Sequence, residues 1–215
     1  MLPASLLSLG LTVCIAEGPA GAPADSLTRL YDSGRRFTEF LAAATSRRET
    51  WLDNYARARL EPDQLERARR VPGKWRLLVV AVDACGDSAN TIPFMAALAD
   101  SLSNVELRVV DPTAGRGVME SHRTPDGRAA TPTVVLLDER GNDAGCFVER
   151  PLALQAWTQI EKPRLPEREW LDRKYKWYRD DAGRETVREI VTLLESAAVG
   201  TPRCQRPGAS RPTGF

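Results

Sequence analysis

The pattern of apolar and polar residues predicts a buried strand and an amphipathic helix near the middle of the chain. From Trp75 to Val82 almost every residue is apolar, which is typical of a strand covered on both faces by helices. After a polar interval, five apolar residues recur at helical spacing: Ile92, Met95, Leu98, Ala99 and Leu102. They predict a helix over 89–102. A strand followed by such a helix indicates an α/β fold.

Three further segments predict the rest of the sheet. In Val105–Val110 apolar residues alternate with Glu106 and Arg108, which favours a strand nearer the sheet edge. Thr133–Leu137 and Gly145–Val148 are separated by a short stretch that contains a glycine. This arrangement predicts an antiparallel hairpin.

Helical patterns lie on both sides of the predicted α/β domain at 71–162. Residues 25–70 predict short helices, with Ser26 and Ser46 as capping residues and Pro62 in a first turn. We expect their aromatic residues to pack against the sheet, with a partner-binding face as the alternative. Residues 163–198 predict a helical C-terminal extension too small for a core of its own.

The two ends of the chain have different compositions. Residues 1–24 are largely apolar and carry no Lys or Arg ahead of the apolar run, so both a signal peptide and a disordered N-terminus are open interpretations. Cytoplasmic and exported locations therefore both stay open. The run is too short to span a bilayer, and no integral membrane span is predicted. Residues 199–215 are rich in Pro, Gly and Arg, and we expect them to be disordered.

Composition excludes some kinds of partner for this 215-residue chain. Its 30 basic and 29 acidic residues nearly cancel, so there is no electrostatic case for binding nucleic acid. The cysteines at 14, 85, 146 and 204 lack zinc-ribbon spacing, and His122 is the only histidine. No metal site is therefore predicted, and His122 is interpreted as a surface residue. The sequence does not indicate an oligomeric state.

Cys85 is the strongest candidate for chemistry. It lies between the buried strand and its following helix, where unpaired backbone N–H groups and the helix dipole favour a thiolate. Asp87 has two opposing effects, because its carboxylate can cap the helix while its charge disfavours the thiolate. Ser88 is either a hydrogen-bond donor to the sulfur or a small residue tolerated in the first turn.

These motifs resemble the thioredoxin superfamily. Cys85 follows the central strand, Pro93 lies where the family kinks the next helix, and Thr131-Pro132 begins a later strand as in the family's cis-proline element. The C-G-D-S motif and helical flanks are similar to a bacterial thioredoxin-like subgroup. The resemblance implies a central mixed sheet flanked by helices, with redox chemistry at Cys85.

The motif departs from the family's C-x-x-C pair because Ser88 occupies the second position. The usual cycle needs that second thiol to release the mixed disulfide. Val79 stands in place of a buried acid, and Ala84 replaces a common tryptophan. The sequence therefore argues against ordinary dithiol thioredoxin activity.

The remaining site predictions concern substrate binding and the release of the mixed disulfide by a second thiol. If the Thr131–Pro132 bond is cis, the backbone of Thr131 can pair with an extended peptide or glutathione. Arg150 is a candidate for binding a substrate carboxylate. Cys146 and Cys204 are candidate resolving thiols, although a packing role for Cys146 and an incidental role for Cys204 are the alternatives.

Two functions follow from these observations. The first is a monothiol thiol–disulfide oxidoreductase that acts through Cys85 on a protein or low-molecular-weight disulfide. It needs no bound cofactor but takes an external thiol such as glutathione for turnover. The second is a non-catalytic thioredoxin-fold binding module that uses the cis-proline groove. Retention of Cys85 favours the first, whereas Ser88, Val79 and Ala84 favour the second.

Overall fold

A five-stranded mixed sheet lies at the centre of the protein, whose computed structural model describes residues 24–201. The strands are β1 (Arg35–Arg36), β2 (Trp75–Val80), β3 (Val105–Val110), β4 (Thr133–Leu137) and β5 (Asp143–Val148). The helices are α1 (Ala24–Ser33), α2 (Phe37–Ala43), α3 (Arg48–Ala56), α4 (Pro62–Arg69), α5 (Gly86–Asp100), α6 (Arg116–Ser121), α7 (Leu152–Glu161), α8 (Glu167–Asp181) and α9 (Arg184–Ala198).

β2 is the central strand, as the apolar run predicts. The strand order is β1-β3-β2-β4-β5, with β2 parallel to β3 and antiparallel to β4. Side chains of β2 alternate between two hydrophobic cores, so that Leu77 and Val79 face one and Leu78 and Val80 the other. The strand ends at Val80 rather than Val82, and the exposed Val82 begins the turn to α5.

The outer strands follow the sequence pattern closely. β3 has the predicted bounds, and its outer neighbour is the two-residue strand β1. Glu106 on β3 is exposed, which accounts for the alternation near the sheet edge. β4 and β5 form the predicted antiparallel hairpin, with a register shift between Leu136 and Leu137. β5 begins two residues earlier than predicted, at Asp143.

Of the N-terminal helices, α1 and α2 pack on the sheet, α3 packs on α5 and α4 on α9, and some predicted caps are wrong. Trp51 is fully buried in the main core, and α4 begins at Pro62 as predicted. Ser26 lies inside α1 rather than at its start. The N-cap of α3 is Arg47, in the left-handed region at φ 50°, and not Ser46.

The C-terminal helices share the main core with the sheet and α5. α9 contributes the buried residues Val187, Ile190, Val191 and Leu194 and contacts α4, α5 and β5. A left-handed turn at Ala182 and Gly183 separates α8 from α9. This turn folds α9 back, so the extension forms part of one continuous core with the sheet.

Some predictions fall outside residues 24–201. They include the signal-peptide and disorder interpretations for the first 23 residues, the disorder predicted from residue 202 onward, and the roles of Cys14 and Cys204. Among the helices that the structure describes, none combines the length and apolar character that crossing a bilayer requires.

Candidate functional site

Cys85 lies at the N-cap position of α5, half-buried at the carboxyl end of β2. Its Sγ accepts a hydrogen bond from the Ser88 backbone N–H, with 3.4 Å between nitrogen and sulfur. The sulfur therefore takes the place that a side-chain oxygen usually has at a helix start. This position presents the positive end of the helix dipole to the thiol.

The Thr131–Pro132 peptide bond is cis and lies beside the sulfur. The Cys85 thiol donates to the Thr131 carbonyl, at 3.2 Å. Pro132 is buried, whereas Thr131 and Cys85 are both partly exposed. Across residues 24–201, no hydrogen-bond partner is found for the Thr131 N–H. The arrangement leaves a backbone donor on the residue whose carbonyl contacts the sulfur of the half-buried Cys85.

The Ser88 hydroxyl does not donate to the sulfur, so that reading of Ser88 is corrected. Its Oγ is fully buried and has no hydrogen-bond partner among residues 24–201. Only the backbone N–H of Ser88 contacts Cys85.

Asp87 does not cap α5 but anchors a buried charge cluster. Its carboxylate accepts hydrogen bonds from Lys174 Nζ, at 3.1 and 3.2 Å, from Tyr178 Oη at 2.7 Å, and from Arg150 at 3.1 Å. Burial, and then the charge of Asp87, hold the pKa of Tyr178 well above its usual range. The positive charges of Lys174 and Arg150 partly offset the negative charge of Asp87. The effect of the Asp87 carboxylate on the Cys85 thiol is therefore weaker than that of an isolated carboxylate.

Arg150 binds internal carboxylates rather than facing an open groove. It is buried and forms ion pairs with Asp87 and with Glu149. Glu149 is itself buried and also pairs with Arg128, at 3.1 Å. The predicted binding of a substrate carboxylate by Arg150 would therefore require these internal pairs to rearrange.

Tyr175 of α8 covers the loop beside Cys85. A Cβ added to Gly86 would lie 2.2 Å from the Tyr175 hydroxyl, so a larger residue at this position of the motif would require the Tyr175 side chain to move. Burial raises the pKa of Tyr175, the Arg47 guanidinium opposes this rise, and the charge of Asp87 adds to it. The hydroxyl therefore lies in the electrostatic field of the motif.

The α2–α3 connection ties the N-terminal helices to the cysteine loop. The Asp83 carboxylate accepts from the backbone N–H groups of Thr45 and Ser46, each at 2.8 Å, and these bonds lower its pKa. Trp51 donates to the Asp83 carbonyl at 3.0 Å, and Arg47 Nε donates to the Ala84 carbonyl at 2.8 Å. These contacts fix the two residues that precede Cys85.

Cys146 and His122 lie away from Cys85. Cys146 is on β5 against the second core, which includes Leu78 and Val135, and it is not a free thiol. A cysteine without a free thiol cannot attack a mixed disulfide, so the predicted resolving role of Cys146 is corrected, whereas that of Cys204 lies outside the described residues. His122 is buried, not a surface residue, because its ring bonds to the Val118 carbonyl and to Asp143, at 2.9 and 2.8 Å.

The site residues missing from the sequence prediction lie in the helical flanks and, for one of them, directly after β5. They are Arg47, Lys174, Tyr175, Tyr178 and Glu149. One signal was available for two of them: Trp170, Lys174 and Tyr178 recur every four residues and are buried. A lysine on an apolar helix face indicates a buried acidic partner, although the spacing does not identify that partner as Asp87.

No cluster of metal-ligating side chains occurs within residues 24–201.

Comparison with known proteins identifies the family. A family model described as Thioredoxin (Thioredoxin_9) matches residues 34–164, which is more than half of the chain. The match includes Cys85 and Pro132, but it ends before α8. No curated protein matches the sequence.

Two solved structures have a similar fold. One is a protein of unknown function from Pseudomonas aeruginosa, with a TM-score of 0.63 and 21% identity. The other is an HIV epitope scaffold, with a TM-score of 0.60 and 23% identity. In each case the alignment covers 79% of this chain and 97% of the other. At this identity, the likeness supports a common fold alone.

Proposed function

The chain belongs to the thioredoxin family, and we propose that it carries out thiol–disulfide exchange through the single thiol Cys85. The observation that carries this proposal is the environment of the sulfur. Cys85 is half-buried, and its Sγ accepts the Ser88 N–H at the start of α5 and lies 3.2 Å from the carbonyl that precedes the cis-proline. A thiolate at a helix N-terminus is a nucleophile suited to attack a disulfide.

The proposed reaction has two exchange steps. The Cys85 thiolate attacks one sulfur of a substrate disulfide, forms a mixed disulfide and releases the other half as a thiolate. An external thiolate such as glutathione then attacks the substrate sulfur of the mixed disulfide. Cys85 leaves as a thiolate, and a new external disulfide is formed. Each step exchanges one S–S bond for another, so no electron acceptor is needed.

The substrate is proposed to bind along the cis-proline segment. The unpaired N–H of Thr131 is a donor for an extended peptide or for glutathione, in the manner of strand addition. Because Ser88 has no thiol, the mixed disulfide is not resolved within the motif. Turnover therefore depends on the external thiol.

A glutathione-coupled disulfide-reduction assay tests this proposal on the full chain. We expect the wild type to turn over and Cys85→Ser to fall to the background rate. Ser88→Cys supplies a thiol at the motif's second position and should release the substrate from the mixed disulfide without external thiol, which is then needed only to reduce the disulfide formed within the motif. Equal rates for the wild type and Cys85→Ser would overturn the proposal.

The second candidate is a non-catalytic binding module. It is favoured by Val79, which is fully buried in the core where an assisting acid is expected, and by the unpartnered hydroxyl of Ser88. In this case peptides containing no cysteine should bind the Thr131 segment, and Cys85→Ser should leave their affinity unchanged. Titration with such peptides separates the two functions.

A further inference from the structure

Arg47 is a cationic side chain fixed at the edge of the Cys85 loop. It precedes α3 in a left-handed conformation that is uncommon for residues other than glycine. Its Nε donates to the carbonyl of Ala84, the residue before Cys85. The neighbouring hydrogen bonds from Thr45 and Ser46 to Asp83 hold the same connection in place. The guanidinium therefore has a defined position beside the backbone of the residue that precedes Cys85.

The Arg47 guanidinium also contacts the ring of Tyr175. The Arg47 guanidinium carbon lies 5.8 Å from the centre of the Tyr175 ring, within the range of a cation–π contact. The Tyr175 hydroxyl lies against Gly86. Arg47 and Tyr175, from opposite ends of the chain, thus flank the motif that carries Cys85.

Arg47 differs from the other two cations of this site because its charge is not used in an internal ion pair and can bind a ligand. Lys174 and Arg150 are both buried and bound to Asp87. Arg47 is exposed, and no carboxylate among residues 24–201 lies within ion-pair distance of it. The opposing charge nearby is Asp83, which the Thr45 and Ser46 amides already bind. The terminal guanidinium nitrogens match the two oxygens of a carboxylate.

We propose that Arg47, supported by Tyr175, makes the Cys85 site selective for anionic thiols and disulfides that carry a carboxylate close to the sulfur. Glutathione and acidic cysteine-containing peptides are of this class. This inference rests on the proposed exchange function and specifies its substrate class. Arg47 binds the carboxylate, while the backbone of Thr131 positions the chain next to the sulfur.

Three small disulfides test the charge selectivity of the full-length protein. They are glutathione disulfide, which is anionic, hydroxyethyl disulfide, which is neutral, and cystamine, which is cationic. The rate of mixed-disulfide formation at Cys85 is measured by quenching and mass spectrometry, with Cys85→Ser as the background. Dividing each rate by that for hydroxyethyl disulfide removes differences in folding or in general thiol reactivity.

We expect Arg47→Gln to lower the normalised rate with glutathione disulfide about threefold to fivefold, because one charge contact near the surface is lost. The normalised rate with cystamine should rise. Arg47→Lys should retain most of the selectivity. Arg59→Gln, which removes an exposed arginine on the α3–α4 connection, should leave the ratios within twofold of the wild type.

Two outcomes would overturn the inference, and they are distinguishable. If Cys85 reacts with all three disulfides and Arg47→Gln leaves the ratios unchanged, the charge selectivity is wrong while exchange stands. If Cys85 reacts with none of them, the proposed exchange function fails, and the selectivity fails with it.

Discussion

Replacing Lys174 by Met tests the buried charge cluster behind Cys85. Methionine has a similar length but no charge, so the substitution removes one of the two cations that bind Asp87. The side chains of Asp87 and Lys174 are only 10% and 6% exposed. Breaking a buried pair typically costs about 3–5 kcal/mol, because a charge is left uncompensated. Since Arg150 and Tyr178 still bind Asp87, we expect a loss of about 2–3 kcal/mol.

Urea unfolding of a double-mutant cycle measures this coupling. The four proteins are the wild type, Lys174→Met, Asp87→Asn and the double variant. Because the two side chains contact each other, the double variant should lose at least about 1 kcal/mol less than the sum of the single losses. Additive losses, or a loss below about 0.5 kcal/mol for Lys174→Met, would refute a coupled pair that stabilises the fold.

Two other predictions concern pH and backbone conformation. Burial raises the pKa of Glu189 to about 7, so the folded state holds this proton more tightly than the unfolded state. The wild type should lose on the order of 2 kcal/mol relative to Glu189→Gln between about pH 4.5 and 7, and parallel unfolding curves for the two proteins across that window would contradict this. Gly183 has a φ of +83°, and an added Cβ would lie 2.2 Å from the Phe94 ring. Gly183→Ala should therefore cost about 2–4 kcal/mol in thermal or urea unfolding, whereas Gly117→Ala, in open space on α6, should be neutral or stabilising by about 0.5 kcal/mol. Equal effects at the two glycines would count against the role assigned to the α8–α9 turn.

The strands and the main helix could be predicted because the spacing of apolar residues along each segment reflects which of its side chains are buried. The run that begins at Trp75 is apolar at successive positions, and β2 is buried on both faces. Val105–Val110 alternates, and β3 exposes Glu106. The nearness of Cys85 to Thr131 came from the family resemblance, since no local pattern joins residues 46 positions apart.

The partners of Asp87 could not be predicted from the sequence in the same way. Lys174 and Tyr178 are 87 and 91 positions away, and their approach depends on how α8 folds across the start of α5. The chain has 29 acidic residues, so a buried lysine does not identify its carboxylate. His122 shows the same limit, because its burial depends on a contact with Asp143 across the fold.

Mass spectrometry of Cys85 after exposure to glutathione disulfide tests the central claim most directly. The full-length protein is treated, digested without reductant, and compared with Cys85→Ser. We predict a glutathione adduct on Cys85 that is removed by subsequent reduced glutathione. An unmodified Cys85 under conditions that modify a free cysteine peptide would contradict the proposed exchange chemistry.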